Sequence, residues 1–193
     1  MNPIMYILPE LFISLLLMTL LMIGVFINKS FKLVNFLTII GLVFSVILLF
    51  NQPEETQKIF GGGYIVDSFS IFMKILTLTF CLLVLISSKD YLKNNKIDKI
   101  EYPIIILSAT LGMMIMISSY DLIVFYLGLE LQSLSLYILA SFKREDEKST
   151  EAGVKYFVLS ALASGLLLYG CSLIYGFTGS TNFEIISTNL VST

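Results

Sequence analysis

The chain has 193 residues, of which 56% are hydrophobic and 13% charged, and its mean hydropathy is +0.89. These values lie outside the range of soluble domains and indicate an integral membrane protein, with a lipid bilayer and no nucleic acid among its partners. The net charge of −2 adds little, because most of the surface would face lipid.

Runs of about 18 or more apolar residues predict six membrane-spanning helices. In chain order they are Met5–Ile27, Leu33–Phe50, Phe69–Ser87, Tyr102–Ser119, Leu122–Phe142 and Ala152–Phe177. We therefore predict an all-α polytopic membrane protein with about six transmembrane helices. Residues 1–100 would hold the first three helices, and residues 101–193 would hold helices four to six and a tail.

The distribution of lysine and arginine predicts the orientation of these helices. Nine cationic residues follow helices one, three and five, and the other loops contain only Lys58. The positive-inside rule places the nine on the cytoplasmic or matrix side and the N-terminus on the outer side. The nine residues are Lys29, Lys32, Lys89, Lys93, Lys96, Lys99, Lys143, Arg144 and Lys148.

Several kinds of chemistry have no support in the sequence. Histidine is absent, and no phosphate-binding, dinucleotide-binding or zinc-protease motif occurs. Cys81 and Cys171 both lie in apolar runs, where a thiol behaves as a small hydrophobic group. We expect no cofactor, metal or redox centre in this chain.

Glu130 is the strongest candidate for a functional residue, because it lies near the middle of the fifth predicted helix. An ionised carboxylate there costs at least ~2.5 kcal/mol, so such residues mark proton or cation paths. The alternative is a neutral glutamic acid that only joins helices through hydrogen bonds. On a helix, one stripe beside Glu130 contains Tyr126, Ser133 and Tyr137, and a second contains Gly128, Gln132 and Ser135. Both stripes predict packing against other helices.

Three other charged residues fall inside predicted helices. Lys155 follows Glu151 by four residues, which suits either a proton relay or an interfacial ion pair. Lys74 is two turns into helix three, and the favoured interpretation is an anchor that extends to the outer interface. Glu10 lies in the first turns of helix one, from which it could also reach the headgroups.

The region Tyr120–Phe183 closely resembles subunit 2 of NADH dehydrogenase, the antiporter-like subunit N of respiratory complex I. The resemblance is carried by LELQSLSLY, STEAGVKYF and GCSLIYGFTG. It implies an N-terminal portion of an antiporter-like fold, other membrane-arm subunits as partners, and proton transfer through the glutamate of helix five and the lysine of helix six. Those positions match Glu130 and Lys155, with Tyr126, Gln132, Ser133, Ser135 and Tyr137 as a polar lining.

The resemblance also implies more than ten spans and a helix-seven lysine that would follow Thr193. We therefore expect a split or truncated subunit, completed by a second polypeptide. A piece of a multisubunit cation/proton antiporter and a structural scaffold are the alternative functions. The composition, which suggests an AT-rich genome, favours the mitochondrial inner membrane over a bacterial plasma membrane.

Overall fold

The computed structural model describes residues 4–26, 31–52 and 56–192. Within these ranges the chain forms mostly helix, together with one short hairpin. The helices are α1 (Ile4–Phe26), α2 (Phe31–Phe50), α3 (Ser68–Asn94), α4 (Glu101–Ile117), α5 (Leu122–Ala140), α6 (Glu147–Thr178) and α7 (Phe183–Ser192), and the strands are β1 (Gln57–Ile59) and β2 (Tyr64–Val66).

Each of the six apolar runs forms a helix over most of its described residues, which confirms the predicted helical membrane fold; Ile27, the predicted end of the first run, lies outside the described residues. Five of the helices in the described ranges are long and apolar enough to cross a membrane, and α4 is slightly shorter at 17 residues. At 1.5 Å per residue α4 is about 25 Å long. Helix α3 extends past its apolar run at the C-terminal end, and α6 extends past its run at the N-terminal end. Hydropathy indicates the part of a helix that can lie in a bilayer, and the helix itself can be longer.

The hairpin and α7 were not predicted. Strands β1 and β2 pair antiparallel over three residues each, which is too short for a periodic signal in the sequence. Their turn contains Phe60, Gly61 and Gly62 with φ of 55°, 65° and 88°. Glycine adopts this left-handed conformation without a steric penalty, and this explains the glycine run at the turn.

A turn of four residues connects α4 to α5, and the hairpin stabilises it. The Tyr120 amide donates to the carbonyl of Gly63 at 2.9 Å, and the Ile65 amide donates to that of Ser118 at 2.8 Å. Asp121 caps α5 by accepting from the amide of Ile123 at 2.8 Å. The predicted outer loops therefore meet at one end of the bundle.

Helix α4 is the centre of the bundle. It packs against α1, α2, α3 and α5, whereas α6 packs against α5 and α7 among the described elements. The core consists of aliphatic side chains at these crossings, including Leu42, Leu78, Leu107 and Met114. One long face of α6 therefore carries exposed apolar side chains, among them Leu159, Leu162 and Leu166.

Candidate functional site

Glu130 is half-buried on the side of α5 that faces α6. Its carboxylate accepts a hydrogen bond from the hydroxyl of Ser164 on α6. The same Ser164 hydroxyl is 2.9 Å from the hydroxyl of Tyr126, one turn earlier on α5. Tyr126, Ser164 and Glu130 thus form a continuous chain of hydrogen-bonding groups across the α5–α6 contact.

The two stripes on α5 face different neighbours. Tyr137, on the Glu130 side, packs edge-on against the ring of Tyr156 on α6, with ring centroids 4.9 Å apart. Ser135, on the other side, donates to Ser108 of α4 at 3.1 Å. The packing that the spacing predicts is therefore present on both sides of α5.

Gln132 and Ser133 complete the predicted lining but have no side-chain hydrogen bond to the rest of the described chain. Both are half-buried. The backbone of Gln132 lies against Gly112 of α4, so its position is fixed by the main chain. Their amide and hydroxyl groups remain available for partners outside the described residues.

The structure does not bring Lys155 to Glu130. The ammonium of Lys155 is 2.5 Å from the carboxylate of Glu151, and the two side chains are 69% and 62% exposed. Nine residues separate Lys155 from Ser164 on α6, which corresponds to about 13 Å along the helix axis. Both groups of this pair are therefore accessible to whatever covers the open face of α6.

A second cluster of charged residues is far more deeply buried. Lys74 is fully buried, and its Nζ is 2.7 Å from Oε1 of Glu10, which is 5% exposed. The interpretation of Lys74 as an anchor that extends to the outer interface is therefore wrong. Both side chains are buried inside the bundle, where the Glu10 carboxylate on α1 and the Lys74 ammonium on α3 neutralise each other.

Tyr64 of β2 completes this cluster. Its hydroxyl donates to Oε1 of Glu10 at 2.7 Å and accepts from Lys74 at 3.1 Å. The Lys74 ammonium also lies over the Tyr64 ring, 5.1 Å from its centroid. Burial, and then the nearby Glu10 carboxylate, raise the pKa of the Tyr64 hydroxyl above its ordinary value. The hydroxyl therefore stays protonated and can donate and accept at the same time.

A signal for this cluster is present in the sequence. Glu10 is close to the N-terminal end of α1, and Lys74 is close to the N-terminal end of α3; both ends are predicted to lie on the outer side. Opposite charges at one depth in two apolar helices indicate a pair. Tyr64 has no comparable signal, because the short hairpin that positions it is not predictable from periodicity.

A bundle of apolar helices that encloses carboxylates and a lysine defines a class of polytopic membrane protein with ionisable groups inside the apolar layer, and such groups mark ion or proton pathways. Two family models match separate parts of this chain. The model described as "NADH-ubiquinone oxidoreductase chain 4, amino terminus" matches residues 11–97, and "NADH:quinone oxidoreductase/Mrp antiporter, TM" matches residues 119–193.

Curated relatives agree with both matches. NADH-quinone oxidoreductase subunit N of Pelagibacter ubique is 58% identical over 187 residues, which cover 96% of this chain and 40% of the relative. Subunit N of Rhodospirillum rubrum is 51% identical over 180 residues, covering 92% of this chain and 37% of the relative. The chain is similar over more than nine tenths of its length to subunit N of NADH-quinone oxidoreductase, and it spans about two fifths of the length of these relatives.

Solved structures have the same fold. A chain of respiratory complex I from Thermus thermophilus with bound aureothin has a TM-score of 0.77 at 26% identity, and the match covers 95% of this chain and 42% of that one. A chain of the membrane-bound sulfane sulfur reductase, an archaeal respiratory membrane complex, has a TM-score of 0.78 at 18% identity, covering 95% and 39%. The second similarity concerns the fold alone.

Proposed function

We propose that this chain is part of a proton-translocating subunit in the membrane arm of a respiratory complex I, and that Glu130 takes up and releases the proton. The observation that carries the proposal is the hydrogen-bonded chain from Tyr126 through Ser164 to Glu130. A hydroxyl group both donates and accepts, so this chain offers a route for a proton to the carboxylate. Bacterial homologues named subunit N support the assignment.

The chemistry follows from the surroundings of Glu130. In an apolar layer the charged form of a carboxylate is disfavoured, and a nearby cation restores it. A cation that approaches or leaves Glu130 would therefore make the carboxylate release or bind a proton. Lys155 is a candidate for passing the proton onward, since its exposed ammonium lies on the same helix as Ser164.

The exposed apolar face of α6 is evidence that further helices pack against this bundle. Its apolar side chains have no partner among the described helices, and the relatives are more than twice as long as this chain. We propose that further helices of the subunit cover this face, whether they belong to the same polypeptide or to a second one. Other membrane-arm subunits would then surround the completed bundle.

The test is Glu130→Gln in the assembled complex, reconstituted into proteoliposomes. Glutamine keeps the shape and hydrogen bonding of the side chain but cannot carry the proton. We expect NADH oxidation with a quinone to continue, and proton transfer through this subunit to fall by about 10²-fold, as for loss of a positioned proton-transfer group. The readout is the number of protons moved per NADH oxidised.

Glu184→Gln is the matched control, because Glu184 is exposed and pairs with Lys58 outside the bundle. It should translocate protons as the unmodified complex does. An assembled Glu130→Gln complex with an unchanged proton yield would overturn the proposed role and leave the scaffold function, which needs only the packing of the helices.

The second candidate function is a piece of a multisubunit cation/proton antiporter. It is favoured by the family model that matches residues 119–193, whose description includes the Mrp antiporter. This function predicts sodium-dependent proton exchange that does not require NADH. Vesicles that contain the protein, assayed with a sodium gradient and no NADH, distinguish the two functions.

The remaining expectations concern location and cofactors. The relatives reported above are bacterial, which favours a bacterial plasma membrane over the mitochondrial inner membrane that the composition suggested. We propose that the redox centres and the quinone lie elsewhere in the complex, and that this chain contributes ionisable side chains only.

A further inference from the structure

We propose that Glu10, Tyr64 and Lys74 form a second proton-binding site, on the outer side of the bundle and separate from Glu130. The three groups come from α1, β2 and α3. They lie within hydrogen-bond distance of one another, and all three are buried. The inference depends on this geometry and on the cavity beside it.

One carboxylate oxygen of Glu10 has no hydrogen-bond partner among the described residues. Oε1 of Glu10 accepts from Tyr64 and is paired with Lys74, whereas Oε2 is buried and has no hydrogen-bond partner among the described residues. An unpaired buried acceptor is costly in a folded protein and needs an explanation. A proton bound at Oε2 removes the charge that makes this atom costly.

A cavity of about 580 Å³ connects this cluster with the outer end of the bundle. Glu10 and Tyr64 line it on one side, and Phe60, Gly63 and Asp121 line it near the outer loops. The carbonyl of Ser118 accepts a hydrogen bond from the amide of Ile65, the residue that follows Tyr64, at 2.8 Å. The cavity has room for water, and the polar groups that could hold water in its otherwise apolar lining are Glu10, Ser14, Tyr64, Asp121 and Thr181.

Tyr64 is a second partner for the Lys74 ammonium, in addition to Glu10. When a proton arrives through the cavity, an O–H bond forms at Oε2 and the Glu10 carboxylate becomes a neutral acid. Lys74 keeps its proton, and its charge is then stabilised by the oxygen of Tyr64 at 3.1 Å and by the ring face, with the centroid at 5.1 Å. Release of the proton restores the ion pair.

The other ionisable groups around the cluster are few. Asp121, the cap of α5, lines the same cavity, and Tyr6 of α1 packs in the same small core as Tyr64. From α4 the nearest polar group is Ser118, which does not titrate in the accessible range. Glu10 is therefore the group in this cluster that gains a proton from the outer side.

A purely structural role for the Glu10–Lys74 pair explains fewer of these observations than proton binding does. Replacing a buried pair with apolar residues of similar volume is often neutral or stabilising, so packing alone gives no reason for these charges. It also gives no reason for an unpaired oxygen beside a cavity. Proton binding accounts for both observations.

The test is infrared difference spectroscopy on the assembled complex in proteoliposomes while the outer pH is lowered. We expect a carbonyl band of a buried, protonated carboxylic acid that grows as the pH falls and is absent in Glu10→Gln. The double variant Glu10→Gln/Lys74→Met should also lack the band, and it leaves no unpaired charge that could prevent folding. The rate of proton uptake from the outer side should fall by about 10²-fold in both.

Two controls separate this site from the rest of the protein. Lys58→Met, on the same hairpin but exposed, should retain the band. Glu130→Gln should also retain it, so failure of the Glu130 proposal and failure of this one are distinguishable. A spectrum and an uptake rate in the double variant identical to those of the unmodified complex would overturn the inference.

Discussion

Gly112 on α4 and Gly128 on α5 are in backbone contact: a Cβ added at Gly112 would lie 2.8 Å from the carbonyl oxygen of Gly128. The contact is reciprocal, since a Cβ at Gly128 would lie 3.0 Å from the carbonyl oxygen of Gly112. It fixes the rotation of α5 about its axis. Glu130, on another side of α5, is consequently directed towards α6.

Gly112→Ala or Gly128→Ala should therefore separate α4 from α5. The neighbours of the new methyl group are backbone atoms, which cannot move aside as a flexible side chain can. We expect a loss of about 1–3 kcal/mol in the free energy of unfolding, the usual cost of overpacking. Thermal unfolding of the purified chain in detergent, followed by circular dichroism, measures it.

Gly165→Ala is the control for this pair of variants. A Cβ at Gly165, also inside a helix, has no atom of the described chain within 4 Å. Its stability should stay equal or rise, because alanine favours helix more than glycine does. Equal losses at Gly165 and Gly112 would contradict the close-contact explanation.

The hydroxyl of Ser164 should matter for the chemistry of Glu130 as well as for packing. Ser164→Ala removes the donor to the carboxylate and interrupts the chain to Tyr126. We expect slower proton transfer at unchanged NADH oxidation, with a smaller effect than Glu130→Gln because water can replace a hydroxyl. Proton yield per NADH in proteoliposomes is the measurement.

Ser160→Ala is the matched variant, one turn earlier on the same helix and without a hydrogen bond to another helix in the described structure. Its proton yield should equal that of the unmodified protein. If both serine variants behaved alike, the hydrogen-bonded chain at Glu130 would have no special role.

Asp67 stabilises the start of α3, on which Lys74 lies. Its carboxylate accepts from the amide of Ser70 at 2.8 Å, and the Ser70 hydroxyl accepts from the amide of Asp67 at 2.9 Å. Asp67→Ala removes the cap and should cost about 0.5–2 kcal/mol, whereas Asp67→Asn should cost less. Thermal unfolding in detergent compares the two, and an equal cost would exclude capping as the cause.

Asp146 gives the start of α6 a defined dependence on pH. The hydrogen bond from the Lys148 amide, together with the charge of Lys143, lowers the pKa of Asp146 below its ordinary 3.8. A lowered pKa contributes stability that is present above the unfolded value and is lost as the pH falls through the folded value. We therefore expect faster amide exchange in the first turn of α6 only below pH 3.8.

Asp146→Asn is the comparison for that measurement, because asparagine caps the helix without titrating. Exchange at Glu147 and Lys148 in this variant should change less over the same pH interval. An equal change in both proteins would mean that other carboxylates control the exchange.

Hydropathy was sufficient to predict the six helical segments, because only an apolar run of this length can cross a bilayer. The lysine distribution predicted which loops share a side, and two of the predicted outer loops, the hairpin and the α4–α5 turn, are in contact. Helix ends were less predictable, as α3 and α6 show, because polar residues continue a helix beyond the bilayer. The hairpin was missed, since strands of three residues carry no periodic signal.

Some features of the candidate site could likewise be predicted from the sequence, and others could not. The sequence by itself determined that Glu130 is an ionisable group in an apolar helix and that two polar stripes flank it, since both follow from helical spacing. Only the tertiary structure decided which helix each stripe contacts, that Lys155 does not reach Glu130, and that Lys74 is buried against Glu10. These outcomes depend on how far apart the helices stand and how each is rotated, which the backbone contact of Gly112 with Gly128 and the position of the hairpin establish.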